Sequence, residues 1–222
     1  FMSNFWGAVH KGASPKRYNL DEWDEKEHPV HRVGISSFYM NRYEVTNELW
    51  NAIMDTNPSV FKDAKLPVQN VSWSAVQEFI KKLNLETGRH FRLPTDAEWE
   101  FAAKGGVYSK EYRYAGSNDL DEVAWCKMNS GDTPHEVGTK KPNELGLYDM
   151  SGNVVEWCSD WYGELEDQTV ADPQGPSSGL YRVRHGGAWK ADINFCRPNV
   201  RLYDQPTAYY DYLGFRLALN KH

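Results

Sequence analysis

The residues best equipped for covalent chemistry in this chain are its three cysteines, Cys126, Cys158 and Cys196. A thiolate is a strong nucleophile and a soft metal ligand where its surroundings lower its pKa. The three lie far apart, with no CxxC pair and no even-numbered disulfide framework. The spacing leaves room for one disulfide, with at least one thiol free or paired between molecules. A free, buried cysteine is the more common alternative.

The C-terminal part of the chain has a second set of residues typical of a site. Two glycine-containing segments, residues 186–189 (GGAW) and 213–217 (LGFRL), bracket residues 190–212, called here the insert, which contain many Tyr, Asp and Asn residues. Tyrosine offers a large contact area at a low cost in side-chain entropy, and asparagine adds adaptable hydrogen bonds. The composition predicts a recognition surface. The alternative is that several of these tyrosines pack into the core.

Composition sets the class of protein that could carry such a surface. The chain has 222 residues, 40% of them hydrophobic, and no run of eighteen apolar residues, so we expect one domain over residues 1–222. The net charge of -6 argues against a nucleic-acid partner, because phosphates attract a basic surface. No charged segment followed by an apolar one begins the chain, so the sequence shows no secretory signal. Membrane attachment would need an anchor outside this chain.

Helix-start signals occur at three places in the first half of the chain. Thr46, Ser72 and Thr95 can each cap a helix, and Gly88 and Gly105 are placed to end the second and third. Short strands are predicted at residues 33–39, 43–45, 154–160, 181–185 and 215–219. The stretch from about 105 to 181 otherwise consists of turn signals, and a segment of that length needs pinning by aromatic packing or metal ions. The pattern predicts a loop-rich α+β domain.

Several segments, in this order, resemble the formylglycine-generating enzyme, or sulfatase-modifying factor, family. They are residues 43–46 (YEVT), 71–73 (VSW), 91–100 (FRLPTDAEWE), 146–157 (GLYDMSGNVVEW), 186–189 (GGAW) and 214–216 (GFR). The resemblance covers about residues 33–219. It implies a C-type-lectin-like fold of large size, rich in irregular structure, with a ligand-facing part at about residues 186–218.

The resemblance also implies which residues an enzyme of this family would need. The oxidase uses two cysteines, five residues apart after the Gly-Gly segment, to hold copper(I) and activate oxygen, so that a substrate cysteine becomes formylglycine. Cys196 matches the second cysteine, but Ala191 stands at the first, and Ala188 replaces the active-site serine. Because a two-thiolate copper site needs both sulfurs, we expect no copper and no catalytic residues. The alternative is a formylglycine-generating or related oxidase that acts on a cysteine or thiol substrate, using Cys196 with help from elsewhere.

A structural calcium site is implied by the same resemblance, beside the Gly-Leu-Tyr segment. The matching ligands would be Asp149 and Glu156 through carboxylates, with Gly152 and Val154 through backbone carbonyls, and a hard cation suits such oxygen ligands. The alternative is that Asp149 and Glu156 cap turns or pair with arginines.

Within the family, the chain is similar to the variable proteins of diversity-generating retroelements. These proteins use the same lectin-like fold, end in Gly-Phe-Arg, and concentrate variable residues between the two anchors. Their adenine mutagenesis of asparagine codons yields Tyr, Asp, Ala and several others, but not Lys or Gln. Nearly every residue of the insert belongs to the reachable set, and Lys190 and Gln205 depart from it.

This narrower resemblance implies a ligand face made of side chains from the insert. The face comprises Lys190, Ala191, Asp192, Asn194, Asn199, Leu202, Tyr203, Asp204, Thr207, Ala208, Tyr209, Tyr210, Asp211 and Tyr212. The supporting frame would be Trp189, Cys196, Arg197, Arg201 and Pro206.

The sequence as a whole favours a non-catalytic ligand-binding or display protein. We expect a monomer at a cell surface or outside the cell, whose insert binds a protein or another surface ligand. A further alternative is a structural component of a secretion or gliding complex, which would copurify with an obligate partner.

Overall fold

The computed structural model describes residues 33–164 and 170–221 in full, and only the backbone of residues 6–9 and 12–13. Most of the N-terminal stretch, where the sequence shows no secretory signal, therefore lies outside the described residues. The α-helices found in the described part are α1 (Asn47–Ile53), α2 (Trp73–Thr87), α3 (Asp96–Ala103) and α4 (Leu120–Val123). Short 3-10 helices lie at Gly106–Tyr108 and Ile193–Cys196.

The strands are short and fall into three sheets within the described residues. They are β1 (Trp6–Val9), β2 (Gly12–Ala13), β3 (Val33–Ile35), β4 (Phe38–Asn41), β5 (Phe91–Arg92), β6 (Val155–Trp161), β7 (Val170–Ala171), β8 (Arg182–His185), β9 (Leu202–Asp204), β10 (Leu213–Gly214) and β11 (Ala218–Asn220). The sheet orders are β1-β4-β11-β5, β10-β6-β8-β9 and β2-β3-β7. Since β8 precedes the insert, β9 lies within it and β10 follows it, the second sheet positions the candidate site.

The three predicted helices are confirmed, and their caps explain where each begins. The Thr46 side chain accepts a hydrogen bond from the Leu49 amide, and Ser72 caps α2 in the same way. Thr95 begins α3 in a reciprocal capping box, which satisfies two otherwise unpaired backbone donors. Gly88 ends α2 with a φ of 66°, a left-handed conformation that glycine adopts without strain.

The main core forms where α2 packs against the second sheet. One face of α2 buries Val76, Phe79 and Leu83 in a cluster with residues of β6 and β10. Trp50 of α1 stacks on Phe79 with ring centroids 5.1 Å apart, and Phe215 meets Phe79 edge-on at 5.4 Å. Each such buried side chain stabilises the fold by about 1.5–3 kcal/mol. Residues 213–217, which follow the insert and are called here the closing anchor, are therefore packed into the core.

Three predicted strands differ from the structure. The strand predicted at 33–39 is divided into β3, which ends at Ile35, and β4, which begins at Phe38, and the two belong to different sheets. Residues 43–45 form no strand, although Val45 donates its amide to the Phe215 carbonyl and accepts from the Val68 amide, as a ladder residue would. The predicted strand at 215–219 is interrupted: β10 ends at Gly214 and β11 begins at Ala218. Between them the Arg216 side chain is fully buried against Glu156, a contact made to a residue 60 positions away.

The turn-rich stretch is held together by side chains. Asn143 donates to the carbonyls of Ala102 and Ala103 at the end of α3, while its own side-chain oxygen accepts from the Leu145 and Leu147 amides. Trp125 stacks on His135 with ring centroids 3.7 Å apart. These contacts supply the aromatic and hydrogen-bonded pinning that such a segment needs.

Candidate ligand-binding site

Residues 186–189, which precede the insert and are called here the opening anchor, pack directly against it. Gly186 and Gly187 have φ values of 102° and 71°, which favour glycine over any residue with a Cβ. A Cβ on Gly187 would lie 2.7 Å from the Cys196 sulfur and 2.9 Å from the Phe195 carbonyl oxygen. The glycine pair therefore lets the 3-10 helix of the insert approach the backbone of the scaffold closely.

The closing anchor is held by a buried ion pair. The Arg216 guanidinium donates to both carboxylate oxygens of Glu156 at 2.5 and 2.6 Å, and both side chains are fully buried. Trp99 donates to the same carboxylate at 2.6 Å, and Arg216 also donates to the carbonyls of Asn41 and Tyr148. Arg216, the arginine of the Gly-Phe-Arg segment, thus stabilises the fold and is not part of the exposed surface.

The middle of the insert is held by a second buried polar cluster. Both ring nitrogens of His185 face oxygens, Asp96 Oδ1 at 2.6 Å and the Val200 carbonyl at 3.0 Å. Arg201 donates to the other Asp96 oxygen at 2.5 Å. Burial alone would raise the pKa of Asp96, but Arg201 and His185 hold it down at about 2. The Asp96 carboxylate therefore stays charged and holds Arg201 directly and Val200 through His185.

Backbone hydrogen bonds from three scaffold segments hold the rest of the insert. The Asn70 amide donates to the Tyr210 carbonyl at 2.8 Å, the Lys127 amide to Ala191 at 3.1 Å, and the Val155 amide to Tyr212 at 2.8 Å. β9 pairs antiparallel with β8 from Leu202 to Asp204. The main chain of the insert is thus fixed without using most of its side chains.

The predicted ligand-face side chains all lie among the described residues, and each keeps some exposure. Tyr209 and Tyr203 are the most open tyrosines of the set, with 63% and 46% of their surface exposed. Tyr212 and Ala191 pack partly against the main core. In contrast, Trp189, Cys196 and Arg197 of the predicted frame are buried, while Arg201 and Pro206 are half-buried.

Contacts within the face hold several of its side chains in place. Lys190 pairs with Asp211, and its ammonium group also lies over the Tyr212 ring, 4.7 Å from the centroid. Asp204 accepts from Arg184 of β8 at 2.8 Å. Tyr210 and Tyr212 stack with ring centroids 5.1 Å apart. Such contacts reduce the side-chain freedom lost when a ligand binds.

Two exposed aromatic residues beside the face were missed from the sequence. Phe195 is 38% exposed and lies in the insert between the predicted face residues Asn194 and Asn199. Its place between them was the signal that could have identified it. Tyr181 precedes β8, and its ring lies 5.1 Å from that of Tyr203. The ring of Tyr162 also contacts Tyr203, with ring centroids 4.1 Å apart. Neither Tyr181 nor Tyr162 has a signal in the insert sequence, because β8–β9 pairing brings Tyr181 there and β6–β8 pairing brings Tyr162.

The cavity beneath the frame is separate from the face. It has a volume of about 120 Å³ and is lined by residues that include Asp96, Asp160 and Arg201, with none of the predicted face residues among them. Pockets that enclose drug-sized molecules are typically about 300–1,000 Å³. The exposed tyrosines, which lie outside this cavity, suit a broad contact surface.

The two carboxylates predicted to hold calcium have other partners in this arrangement. Glu156 is committed to Arg216 and Trp99, which matches the arginine pairing that the sequence left as the alternative. Asp149 accepts from the Gly138 amide at 2.7 Å, and burial raises its pKa to about 6. Over residues 33–164 and 170–221, no group of three or more His, Cys, Asp or Glu side chains is arranged to hold a metal ion. Calcium binding stays a prediction.

Cys196 does not stand alone. Cys126, from the segment after α4, belongs to the same buried apolar cluster. Cys158 lies in a different cluster, beside Phe38 and Trp99. The spacing of three distant cysteines could not identify which two meet.

Comparison with known proteins finds a matching family model and several similar curated proteins. A model of the sulfatase-modifying factor enzyme 1-like domain matches residues 7–221. Formylglycine-generating enzyme of Streptomyces coelicolor is 36% identical over 172 residues, 68% of this chain and 52% of that enzyme. Chaperone protein LppX of Paenibacillus barcinonensis is 35% identical over 212 residues, 73% of this chain and 72% of that protein. Other curated relatives are longer, and the chain spans about a third of their length.

A solved structure matches nearly the whole chain. Treponema denticola variable protein 1 is 32% identical, with a TM-score of 0.89 over 97% of this chain and 95% of that one. No helix in the described part of this chain is long and apolar enough to cross a membrane.

Proposed function

This chain belongs to the sulfatase-modifying factor enzyme 1-like domain family, and from that premise we propose that it is a non-catalytic ligand-binding or display protein. The ligand site is the exposed face of residues 190–212, and the partner is a protein or another surface ligand. The chain acts at a cell surface or outside the cell, as a monomer diversified by a retroelement. The two resemblances behind this proposal, to formylglycine-generating enzymes and to variable proteins, are confirmed.

One observation carries the proposal: the insert has a fixed main chain and a set of side chains that all keep some exposure. His185, Asp96 and Arg201 hold its middle, and Arg216 holds its closing anchor. The predicted face residues all keep some exposure, with Tyr203 and Tyr209 the most open of its tyrosines. Such a division allows side chains to change without moving the backbone, as a diversified recognition surface requires.

The site can be tested by asking whether its variation alone creates recognition. A display library randomised at the predicted face positions is panned against hen lysozyme, a folded protein with no relation to this chain. The control library randomises exposed positions of α2, such as Lys81, Leu85 and Glu86. We expect binders of about micromolar affinity or better from the face library alone. Equal yields from the two libraries, or none from either, would contradict the proposal.

The history of the insert has its own test in the neighbouring DNA. Diversification requires a reverse transcriptase gene and an adenine-rich near-copy of the segment that codes for residues 190–212. Their presence supports the retroelement part of the proposal. Their absence removes that part and leaves a ligand-binding domain with a fixed surface.

An oxidase is the second candidate, because the cluster that holds both Cys126 and Cys196 provides two sulfurs where the motif itself has one. Against it, both sulfurs are fully buried in an apolar cluster, and Ala188 supplies no hydroxyl at the position of the family's serine. Incubation with copper(I), oxygen and a sulfatase-type cysteine peptide distinguishes the candidates. We expect no formylglycine above a chain-free control, and turnover that requires Cys196 would overturn the non-catalytic proposal.

A further inference from the structure

Two of the three cysteines meet in a site that the proposed function does not use. Cys126 follows α4, and Cys196 ends the 3-10 helix Ile193–Cys196, 70 positions later in the chain. Both are fully buried and share one apolar cluster with Tyr114, Leu120 and Val123. The cluster joins the segment after α4 to the underside of the insert.

Hydrogen bonds beside the two cysteines fix the two segments against each other. The Lys127 amide donates to the Ala191 carbonyl at 3.1 Å, and the Ser130 hydroxyl donates to the Trp189 carbonyl at 2.6 Å. Next to these bonds, Cys126 and Cys196 lie in the same buried apolar cluster. The backbone thus holds the two cysteine-bearing segments against each other, with both cysteines in the cluster between them.

We propose that Cys126 and Cys196 form a redox-active dithiol, which closes into a disulfide that fastens the insert to the segment after α4. The site is independent of what the face binds.

The two thiols have different roles in forming the bond. The hydrogen bond from Cys196, together with the Met128 and Asn129 amides, lowers the pKa of Cys126 to about 6, despite burial. The same hydrogen bond and burial raise the pKa of Cys196 well above its usual value. Since the thiolate is the nucleophile, Cys126 is the attacking sulfur at neutral pH.

The oxidant is a low-molecular-weight disulfide such as oxidised glutathione. The Cys126 thiolate attacks one of its sulfurs, forms a mixed disulfide and releases one glutathione thiolate. Cys196 then gives up its proton and attacks the Cys126 sulfur, which releases the second glutathione thiolate. Two electrons pass from the cysteine pair to the oxidant, and the two protons end on the two glutathione thiols. Because both cysteines are buried, the exchange requires local opening of the cluster.

The bond would act on the frame of the insert. Cys196 lies under the ligand face, and Gly187 packs against its sulfur. A covalent link at this point limits how far the insert can move from the scaffold and removes freedom from the unfolded chain. The oxidised protein should therefore melt about 5–10 °C above the reduced protein.

The test uses the unmodified chain. The folded protein is equilibrated with oxidised glutathione, denatured, alkylated and mapped by peptide mass spectrometry, and its melting temperature is compared with that of the reduced protein. We expect a Cys126–Cys196 cross-linked peptide, an alkylated Cys158 and the higher melting temperature. Alkylation of both Cys126 and Cys196, glutathione adducts without the cross-link, or a cross-link through Cys158 would overturn the proposal.

Two variants serve as matched controls. Cys158→Ala removes a buried cysteine from a different cluster and should keep the cross-link and the shift in melting temperature. Cys126→Ser should lose both. If Cys126→Ser fails to fold, the peptide map of the unmodified chain still decides, because it needs no substitution.

Discussion

The frame and the face of the C-terminal segment are adjacent in sequence but are built in opposite ways. The structure adds His185 and Arg216 to the predicted frame. The side chains of His185, Cys196 and Arg216 are fully buried, and each lies against scaffold residues far away in the chain. The face side chains, such as Tyr203 and Tyr209, are exposed. Stability should therefore depend on the frame, whereas the identity of the face residues should matter mainly for binding.

The largest effect should come from breaking the ion pair of the closing anchor. Arg216→Met removes the cation and leaves the Glu156 carboxylate buried, with Trp99 as its remaining side-chain donor among the described residues. An uncompensated buried charge costs about 3–5 kcal/mol. Chemical denaturation should show that loss in the free energy of unfolding.

Two variants sharpen this prediction. Arg89→Met changes an arginine that is exposed after α2, and its effect should stay within about 0.5 kcal/mol. Adding Glu156→Gln to Arg216→Met removes the stranded charge and should recover part of the loss. An Arg216→Met protein as stable as Arg89→Met would show that the closing anchor does not hold the fold.

A smaller effect is expected from pH, at the carboxylate beside the frame. Burial and the neighbouring Asp96 raise the pKa of Asp160 to about 6 from its usual 3.8. Because the folded-state pKa is the higher one, the contribution of Asp160 is fully present below pH 3.8 and is lost as the pH rises through 6. The loss amounts to about 2–3 kcal/mol.

The measurement compares the free energy of unfolding of the wild type and Asp160→Asn between about pH 4 and 8. The wild type should lose more stability than the variant across this range, because the asparagine side chain does not titrate. Asp96 behaves in the opposite way, because its folded-state pKa of about 2 lies below the usual 3.8. Its contribution to stability is present above pH 3.8 and is lost as the pH falls towards 2. Parallel curves for the two proteins over the whole range would rule out the raised pKa.

The smallest effects should occur on the face. Tyr209→Ser removes an exposed ring and should change the free energy of unfolding by less than about 0.5 kcal/mol. Tyr203→Ser should cost slightly more, since its ring contacts Tyr162 and Tyr181. Tyr114→Ser, in the buried cysteine cluster, is the matched control and should cost several times as much. Equal losses for Tyr209 and Tyr114 would erase the distinction between frame and face.

Local signals made part of this fold predictable. The caps Thr46, Ser72 and Thr95 act on amides close by in the chain, so the sequence alone located three helices. The α+β class and the family followed from motifs that are continuous in the sequence.

Contacts between distant residues explain what the sequence left out. The predicted strand at 215–219 is divided because Arg216 turns inward to Glu156, and β9 forms because β8 lies beside it. The Cys126–Cys196 contact joins residues 70 positions apart. Composition identified the insert as a surface, but only folding shows which aromatic residues from outside it, such as Tyr181, join that surface.

The most direct test of the difference between frame and face compares how well the protein tolerates substitutions at the two sets of positions. Two display libraries of equal size are made, one randomising the predicted face positions and one randomising His185, Cys196, Arg197, Arg201 and Arg216, and both are scored for protease resistance. We expect most face variants to keep the resistance of the wild type and most frame variants to lose it. Equal survival of the two libraries would contradict the division, because it would mean that the face is as much a part of the fold as the frame.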